Sequence, residues 1–189
     1  MSTETSPAAE SLLRGVGALQ EGHFQLSSGR HSGMYVEKFR LLEYPAQTEA
    51  MCRMIAEWAK PLAPTLVAGP TTGGILISYE VARALGLRSI FAESEPDGSR
   101  AFRRGFKIER GERLIVVDDV LTTGGSVRHV IEAVREEGGE VAGVAVLIDR
   151  TDGSIDFGAP FFACLALDLP SFAPTECPFC STGVPLTVT

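Results

Sequence analysis

The feature that most limits the fold is an alternation between residues 66 and 148, where short apolar runs, glycine-rich turns and helical stretches follow one another. Leu66-Val-Ala68 is a short strand candidate, Gly69-Pro-Thr-Thr-Gly-Gly74 a loop, and Ile75 to Leu85 a buried helix stopped by Gly86. Ser89 to Ala92 and Leu114 to Val117 read as further strands. Gly125 to Glu137 places Val127, Val130, Ile131 and Val134 on one helical face, with Gly138 and Gly139 as cap residues, and Val141 to Ile148 closes the series as a strand. Strands that are apolar along their whole length need cover on both sides. The pattern therefore predicts an α/β architecture with a mainly parallel central sheet flanked by helices. Ligands of such sheets sit at the carboxyl ends of the strands.

The flanking segments are shorter. Ser6-Pro7 reads as a cap and first-turn proline of a helix carrying Leu12, Leu13 and Val16. Residues 23–38 read as two extended pieces around a Ser-Ser-Gly turn, and Pro45 to Lys60 as a helix ended by Pro61. Residues 93–101 are polar and contain Pro-Asp-Gly, a hairpin tip or mobile loop, after which Phe102 to Ile108 is expected to return as a strand. Four of the eleven prolines fall at 170, 174, 178 and 185, so the tail is expected to be an irregular strap rather than a sheet layer. A single domain over 1–189 is expected, with its N-terminal elements at about 7–40, its core at about 45–168 and the tail at 169–189.

Composition removes several classes. At 44% hydrophobic and 22% charged residues, the chain is neither disordered nor fibrous. A net charge of −7 argues against non-specific nucleic-acid binding. No apolar run approaches the roughly 20 residues that span a bilayer, and the first residues lack the basic and apolar regions of a secretory signal. No membrane partner is expected, and the cytoplasm is the expected compartment. Four cysteines are too few for a disulfide scaffold, and Cys52 and Cys164 sit in apolar patterns as small core side chains.

The most informative stretch is Leu114-Ile-Val-Val-Asp-Asp-Val-Leu-Thr-Thr-Gly-Gly-Ser126, which joins a buried strand to a helix. Thr122, Thr123, Gly124, Gly125 and Ser126 expose backbone N–H groups and hydroxyls at the positive end of the helix, an arrangement that binds a phosphate monoester. No Gly-Lys-Ser/Thr follows, so this is not a Walker loop. Asp118 and Asp119 need partners, because adjacent buried carboxylates repel each other. Sugar hydroxyls and a hydrated Mg²⁺ would supply them, and the spacing suits a ribose 5-phosphate with its diol at the acids and its phosphate at the loop. A solvated strand end before an ordinary capped helix is the plain alternative.

Val116-Val-Asp-Asp-Val-Leu-Thr-Thr-Gly-Gly-Ser126 resembles the signature of the type I phosphoribosyltransferases, which bind 5-phosphoribosyl 1-pyrophosphate. Gly22 to Ser32, Phe91-Ala-Glu93, Arg103-Arg-Gly-Phe106, Ile148-Asp-Arg150 and the tail from Cys177-Pro-Phe-Cys180 to Leu186 together resemble the orotate phosphoribosyltransferases, particularly a compact bacterial branch. The likeness runs from about Leu12 over nearly the whole chain. It implies the type I fold with a hood segment and a mobile lid hairpin, and Mg²⁺-dependent transfer of ribose 5-phosphate to orotate in pyrimidine nucleotide synthesis. It implies a homodimer whose lid closes over a neighbouring subunit's site. By the same likeness, Thr71, Thr72, Gly73 and Gly74 form the pyrophosphate loop, where glycines let amides approach an anion. Arg150 faces the base and pairs with its carboxylate, and Ser28, Gly29 and Tyr35 cover the base, with Tyr35 as the stacking ring. From the residues alone, the 71–74 loop is a plain strand-to-helix turn, Arg150 is equally a surface arginine paired with Asp149 or Asp152, and Tyr35 a structural ring.

Residues 93–107 would be the lid, bringing Arg100, Arg103, Arg104 and Lys107 to the pyrophosphate. The chain departs from the family here. Ser94 stands among Glu93, Glu95 and Asp97, and Ser27 precedes the Ser-Gly-Arg turn, where the family places basic residues. Arg103 to Lys107 also read as a charged strand face. These departures keep two other readings open: transfer to another nucleobase, and a non-catalytic sensor of phosphoribosyl ligands. Cys177 and Cys180 have the spacing of half a zinc site or a dithiol pair, but two thiolates are not four ligands and His23, His31 and His129 lie in other elements. A structural tail is the expectation.

Overall fold

The computed structural model describes residues 7–26, 28–151 and 153–189, so the cap assigned to Ser6 and the positions of Ser27 and Asp152 lie outside the described residues. In chain order the elements are α1 (Pro7–Gly15), β1 (Leu19–Gln25), β2 (His31–Val36), α2 (Lys38–Leu42), α3 (Pro45–Ala59), β3 (Leu66–Pro70), α4 (Gly73–Leu85), β4 (Arg88–Ser94) and β5 (Arg100–Phe102). They continue with β6 (Arg113–Leu121), α5 (Gly125–Glu136), β7 (Glu140–Asp149), β8 (Phe161–Ala166), β9 (Ser171–Phe172), α6 (Pro178–Ser181) and β10 (Thr187–Val188).

The central sheet has the strand order β5-β4-β3-β6-β7-β8, and every pairing is parallel except the antiparallel edge pair β4 and β5. Its inner strands β3, β6 and β7 are mostly apolar because alternate residues enter different cores. Val67, Ile115, Val117, Ala145 and Leu147 pack with Met51, Ile55, Ile77 and Val81 of α3 and α4. Leu66, Ala68, Leu114, Val116, Val144 and Val146 pack on the other face with Val127, Val130, Ile131 and Val134 of α5. Burial of each large aliphatic side chain contributes about 1.5–3 kcal/mol.

α3 starts on Pro45 and buries Met51, Cys52, Ile55, Ala56 and Ala59. α4 ends at Gly86, whose φ of +71° is the left-handed cap that the sequence places there. Three expectations need correction. β6 does not stop at Val117 but runs to Leu121, so both aspartates lie inside the strand. Residues 103–108 do not return as a strand, because Arg104 at φ +60° and Gly105 at +77° turn the chain after three residues of β5. The tail is not merely a strap: it supplies both edges of a second sheet, ordered β10-β1-β2-β9, with β10 parallel to β1 and β9 antiparallel to β2. Its prolines flank these two-residue strands, where no ladder donor is lost. Among the described residues, no helix is long and apolar enough to cross a membrane.

Candidate functional site

Asp118 and Asp119 sit near the carboxyl end of β6, 7% and 3% exposed. Each is held by a different layer. Asp118 Oδ2 accepts a hydrogen bond from Ser126 Oγ at 2.9 Å and Oδ1 one from the Asp119 amide at 2.8 Å. Asp119 Oδ1 accepts from the Val120 amide at 2.6 Å and from Lys38 Nζ at 3.2 Å, and Nζ lies 3.0 Å from Oδ2. Sequence reasoning missed Lys38. It is contributed by the first turn of α2, remote in the chain, and nothing in its local pattern marks it as a partner of an acid.

Burial, reinforced by the negative charge of Asp119, pushes the Asp118 carboxyl from 3.8 up to about 6. The folded value lies above the unfolded one, so the associated stability is present below about pH 3.8 and is lost as pH rises through 6. Ionised Asp118 therefore destabilises the ligand-free fold at pH 8. Asp118→Asn is expected to melt several degrees above the parent at pH 8 and at no higher temperature at pH 4. Thermal denaturation of both proteins at the two pH values checks this.

Downstream, Thr122 and Thr123 are exposed, Gly124 turns with φ +78°, and α5 begins at Gly125. The first amides of α5 have no partner within the helix, so they face outward with the positive helix end. Asp118 and residues 120–127 enclose a cavity of about 60 Å³. Across from it, Thr71 and Thr72 precede α4, joined by a cis peptide bond. The glycines of this second loop do more than free the amides. A Cβ on Gly73 would overlap Asp119 Oδ2 and lie 2.8 Å from its Cγ, and one on Gly74 would lie 3.4 Å from Asp118 Oδ1. Gly73 is required because Asp119 presses against the start of α4, and Gly74 chiefly because Pro70 Cδ would lie 2.5 Å from a Cβ there.

The structure divides the four lid cations. Arg100 Nη1 donates to Thr71 Oγ1 at 3.1 Å and to the Ala92 carbonyl at 3.2 Å, so this guanidinium already stands on its own chain's 71–74 loop. Arg103 is ion-paired with Glu95 at 2.8 Å and Arg104 with Glu93 at 2.9 Å. Lys107 is exposed. Asp97 closes the hairpin tip by accepting from the Ser99 amide and hydroxyl.

On the hood side, Ser28 and Gly29 lie in a turn between β1 and β2, Ser28 exposed and Gly29 half-buried, in which the Gly29 amide donates to the Leu26 carbonyl. Tyr35 is half-buried, its hydroxyl donating to Glu37 Oε2 at 3.3 Å and its ring 5.5 Å from that of Phe24. Arg150 follows β7, half-buried. Among the described residues it pairs with no carboxylate: Asp149 Oδ1 instead accepts from the Thr151 amide, and Arg150 Nε is buried without a hydrogen-bond partner. Burial lowers the Arg150 pKa, while Tyr35 is near enough to oppose that shift. A guanidinium kept in this state is suited to an incoming anion.

A larger cavity of about 500 Å³ lies elsewhere, among Gly22, Gly33, Met34, Phe172, Phe179 and Val184. It includes neither acid nor either loop, so it is not where a phosphorylated sugar would be held.

A parallel sheet with an acid pair at a strand end, a Thr-Gly-Gly loop at the next helix and a glycine loop opposite defines a class. The chain belongs to the phosphoribosyltransferase family, whose model, described as a phosphoribosyl transferase domain, matches residues 45–172. Within that family it is a member of the orotate phosphoribosyltransferases. It is 50% identical over 174 residues to the orotate phosphoribosyltransferase of Pelotomaculum thermopropionicum, spanning 92% of this chain and 91% of that protein. It is 49% identical over 168 residues to the enzyme of the same name from Caldanaerobacter subterraneus subsp. tengcongensis, spanning 89% and 88%. The crystal structure of orotate phosphoribosyltransferase from Aeropyrum pernix aligns with a TM-score of 0.72 at 29% identity, covering 84% of this chain and 93% of that one. The type I fold expected from the sequence is the fold found.

Proposed function

We propose that this chain is a cytoplasmic, Mg²⁺-dependent orotate phosphoribosyltransferase that joins ribose 5-phosphate from 5-phosphoribosyl 1-pyrophosphate to orotate, yielding orotidine 5′-monophosphate and pyrophosphate. The observation that carries the reading is the buried Asp118–Asp119 pair one turn from the amide-rich start of α5. Four free cysteines fit a reducing compartment. Exposed Leu76 and Tyr79 on α4 support a homodimer, in which the lid would serve the neighbouring site.

The two acids fit a hard divalent cation held through water and sugar oxygens, since Asp119 Oδ2 has no hydrogen-bond partner beyond its ion pair with Lys38. When bound, Mg²⁺ would neutralise the pyrophosphate. The chain's own residues do the rest by position and charge. Asp118 and Asp119 hold the ribose diol, and their negative charge favours the cationic sugar that forms as the C1–O bond lengthens. Thr122, Thr123, Gly124, Gly125 and Ser126 hold the 5-phosphate. Thr71, Thr72, Gly73 and Gly74, with Arg100 already among them and Arg103, Arg104 and Lys107 on the hairpin, receive the leaving pyrophosphate. Arg150 holds the orotate carboxylate, with Tyr35, Ser28 and Gly29 over the base. The pyrimidine nitrogen bonds to C1, its proton is released, and pyrophosphate leaves with the electron pair of the broken bond.

The test is direct: protein, Mg²⁺, the phosphoribosyl donor and orotate are mixed, and the loss of orotate absorbance is followed. A second reading, a donor-binding module without turnover, is favoured by the pairing of Arg103 and Arg104 with lid glutamates. It is chosen if the donor binds and no base is consumed. Consumption of another base alone would redirect the substrate. In the active enzyme, Arg150→Gln is expected to reduce kcat/KM for orotate about 10- to 100-fold through KM, the loss of one charge-assisted pair. The KM for the donor should stay near that of the parent; an unchanged orotate KM would remove Arg150 from the base site.

A further inference from the structure

The tail and the hood meet at a second cluster that shares no residue with the proposed reaction site and lies outside residues 45–172 matched by the family model. His23 of β1, His31 of β2, and Cys177 and Cys180 flanking the start of α6 place one ligand atom each within 4.8 Å of all the others. The two further ligands that the tail thiols lack in their own segment stand beside them here. The missing pair comes from strands about 150 residues earlier in the chain.

Three nitrogen–sulfur distances suit a tetrahedral centre. Cys177 Sγ and Cys180 Sγ lie 3.5 and 3.6 Å from His23 Nε2, and Cys180 Sγ lies 3.3 Å from His31 Nδ1. Zinc bonds of about 2.0–2.1 Å to nitrogen and 2.3 Å to sulfur at tetrahedral angles separate N and S by about 3.6 Å. His23 Nδ1 lies 2.8 Å from the Val184 carbonyl, which can only accept, so Nδ1 carries the proton and Nε2 turns its lone pair inward. On that lone pair converge His31 Nδ1 at 2.9 Å and both thiols. One lone pair accepts one well-aligned hydrogen bond, so hydrogen bonding alone does not account for three neighbours. His23, His31 and Cys177 are 3–4% exposed. Phe179, between the two cysteines, packs its ring 5.7 Å from His23 and 6.3 Å from Phe172, which walls the cluster with apolar surface.

We propose that His23 Nε2, His31 Nδ1, Cys177 Sγ and Cys180 Sγ bind one Zn²⁺ ion in a closed structural site that fastens the C-terminal tail to the hood hairpin. Two soft thiolates and two imidazoles select zinc over the hard Mg²⁺ of the reaction site. Binding converts two thiols to thiolates and releases two protons, leaving a neutral centre that tolerates burial. With four protein ligands, no position is open for substrate or water. The ion would hold β1 and β2 on either side of the Ser28–Gly29 turn, and so set the hood over the base.

The test uses the full chain, purified reduced and without chelator or metal-affinity resin. About one zinc per chain by elemental analysis is expected. After chelator treatment, Co²⁺ alone should restore one metal per chain with the intense visible bands of tetrahedral thiolate cobalt. Cys180→Ser, at the exposed ligand, and His31→Asn should each weaken Zn²⁺ binding roughly tenfold or more. His129→Asn, on α5 outside the cluster, should bind as the parent does. Chelator should lower the melting temperature of the parent by more than that of Cys180→Ser. The proposal is overturned if the reduced parent takes up neither metal, if Cys177 and Cys180 are joined by a disulfide in the anaerobically purified protein, or if both ligand variants keep parental affinity. None of these readouts uses turnover, so the result is independent of the proposed reaction.

Discussion

Asp119→Asn is expected to lower kcat about 10²- to 10³-fold while leaving the fold intact, the usual scale for removing one preorganised electrostatic group. The amide oxygen can still accept from the Val120 N–H, so the local backbone of β6 keeps its partner. Lys38 loses its counter-charge, but its side chain is 39% exposed and water can solvate it, so little stability is lost. What disappears is negative charge beside the sugar that the proposed reaction makes cationic. Steady-state kinetics and a melting curve separate the two effects. Unchanged turnover at an unchanged melting temperature would remove Asp119 from the machinery.

Gly73→Ala is expected to cut kcat/KM for the phosphoribosyl donor about 100-fold, although the new methyl group carries no charge and occupies a loop. The added Cβ and Asp119 Oδ2 cannot share the same space, so either the buried acid rotates away or the 71–74 loop retreats from β6. Both displace a proposed binding group. Overpacking of this kind also destabilises by about 1–3 kcal/mol. Gly15→Ala is the control, because a Cβ there meets nothing within 4 Å. Equal kinetics in the two variants would mean that the close approach of α4 to the acids has no functional meaning.

The central sheet and its helices were legible because their apolar residues repeat at the periods of strand and helix. The limits of that reading fall at identifiable residues. Asp118 and Asp119 read as a strand end because two acids inside a buried strand conflict with local preference. They are tolerated only through Ser126, Lys38 and the glycine faces of α4, which are tertiary facts. Phe102 to Ile108 looked like a strand because Phe102, Phe106 and Ile108 are apolar, yet only Phe102 lies in a ladder, at the end of β5, and Phe106 and Ile108 join the second core from the segment after it. The 122–126 loop is a phosphate candidate from its glycines and hydroxyls alone, whereas the 71–74 loop is a pyrophosphate candidate only through the family resemblance. The thiol–imidazole cluster could not be placed, since its halves lie at opposite ends of the chain.

The Arg103–Glu95 and Arg104–Glu93 pairs of the hairpin bear on the proposed cycle. A guanidinium already satisfied by a carboxylate engages a polyanion by exchange rather than capture: it gives up one oxyanion to gain another. The glutamates thus act as resident competitors, recovering the arginines once the product departs. In the proposed cycle a hairpin wired in this way would reset itself, and its grip on pyrophosphate would be limited to the difference between two similar contacts.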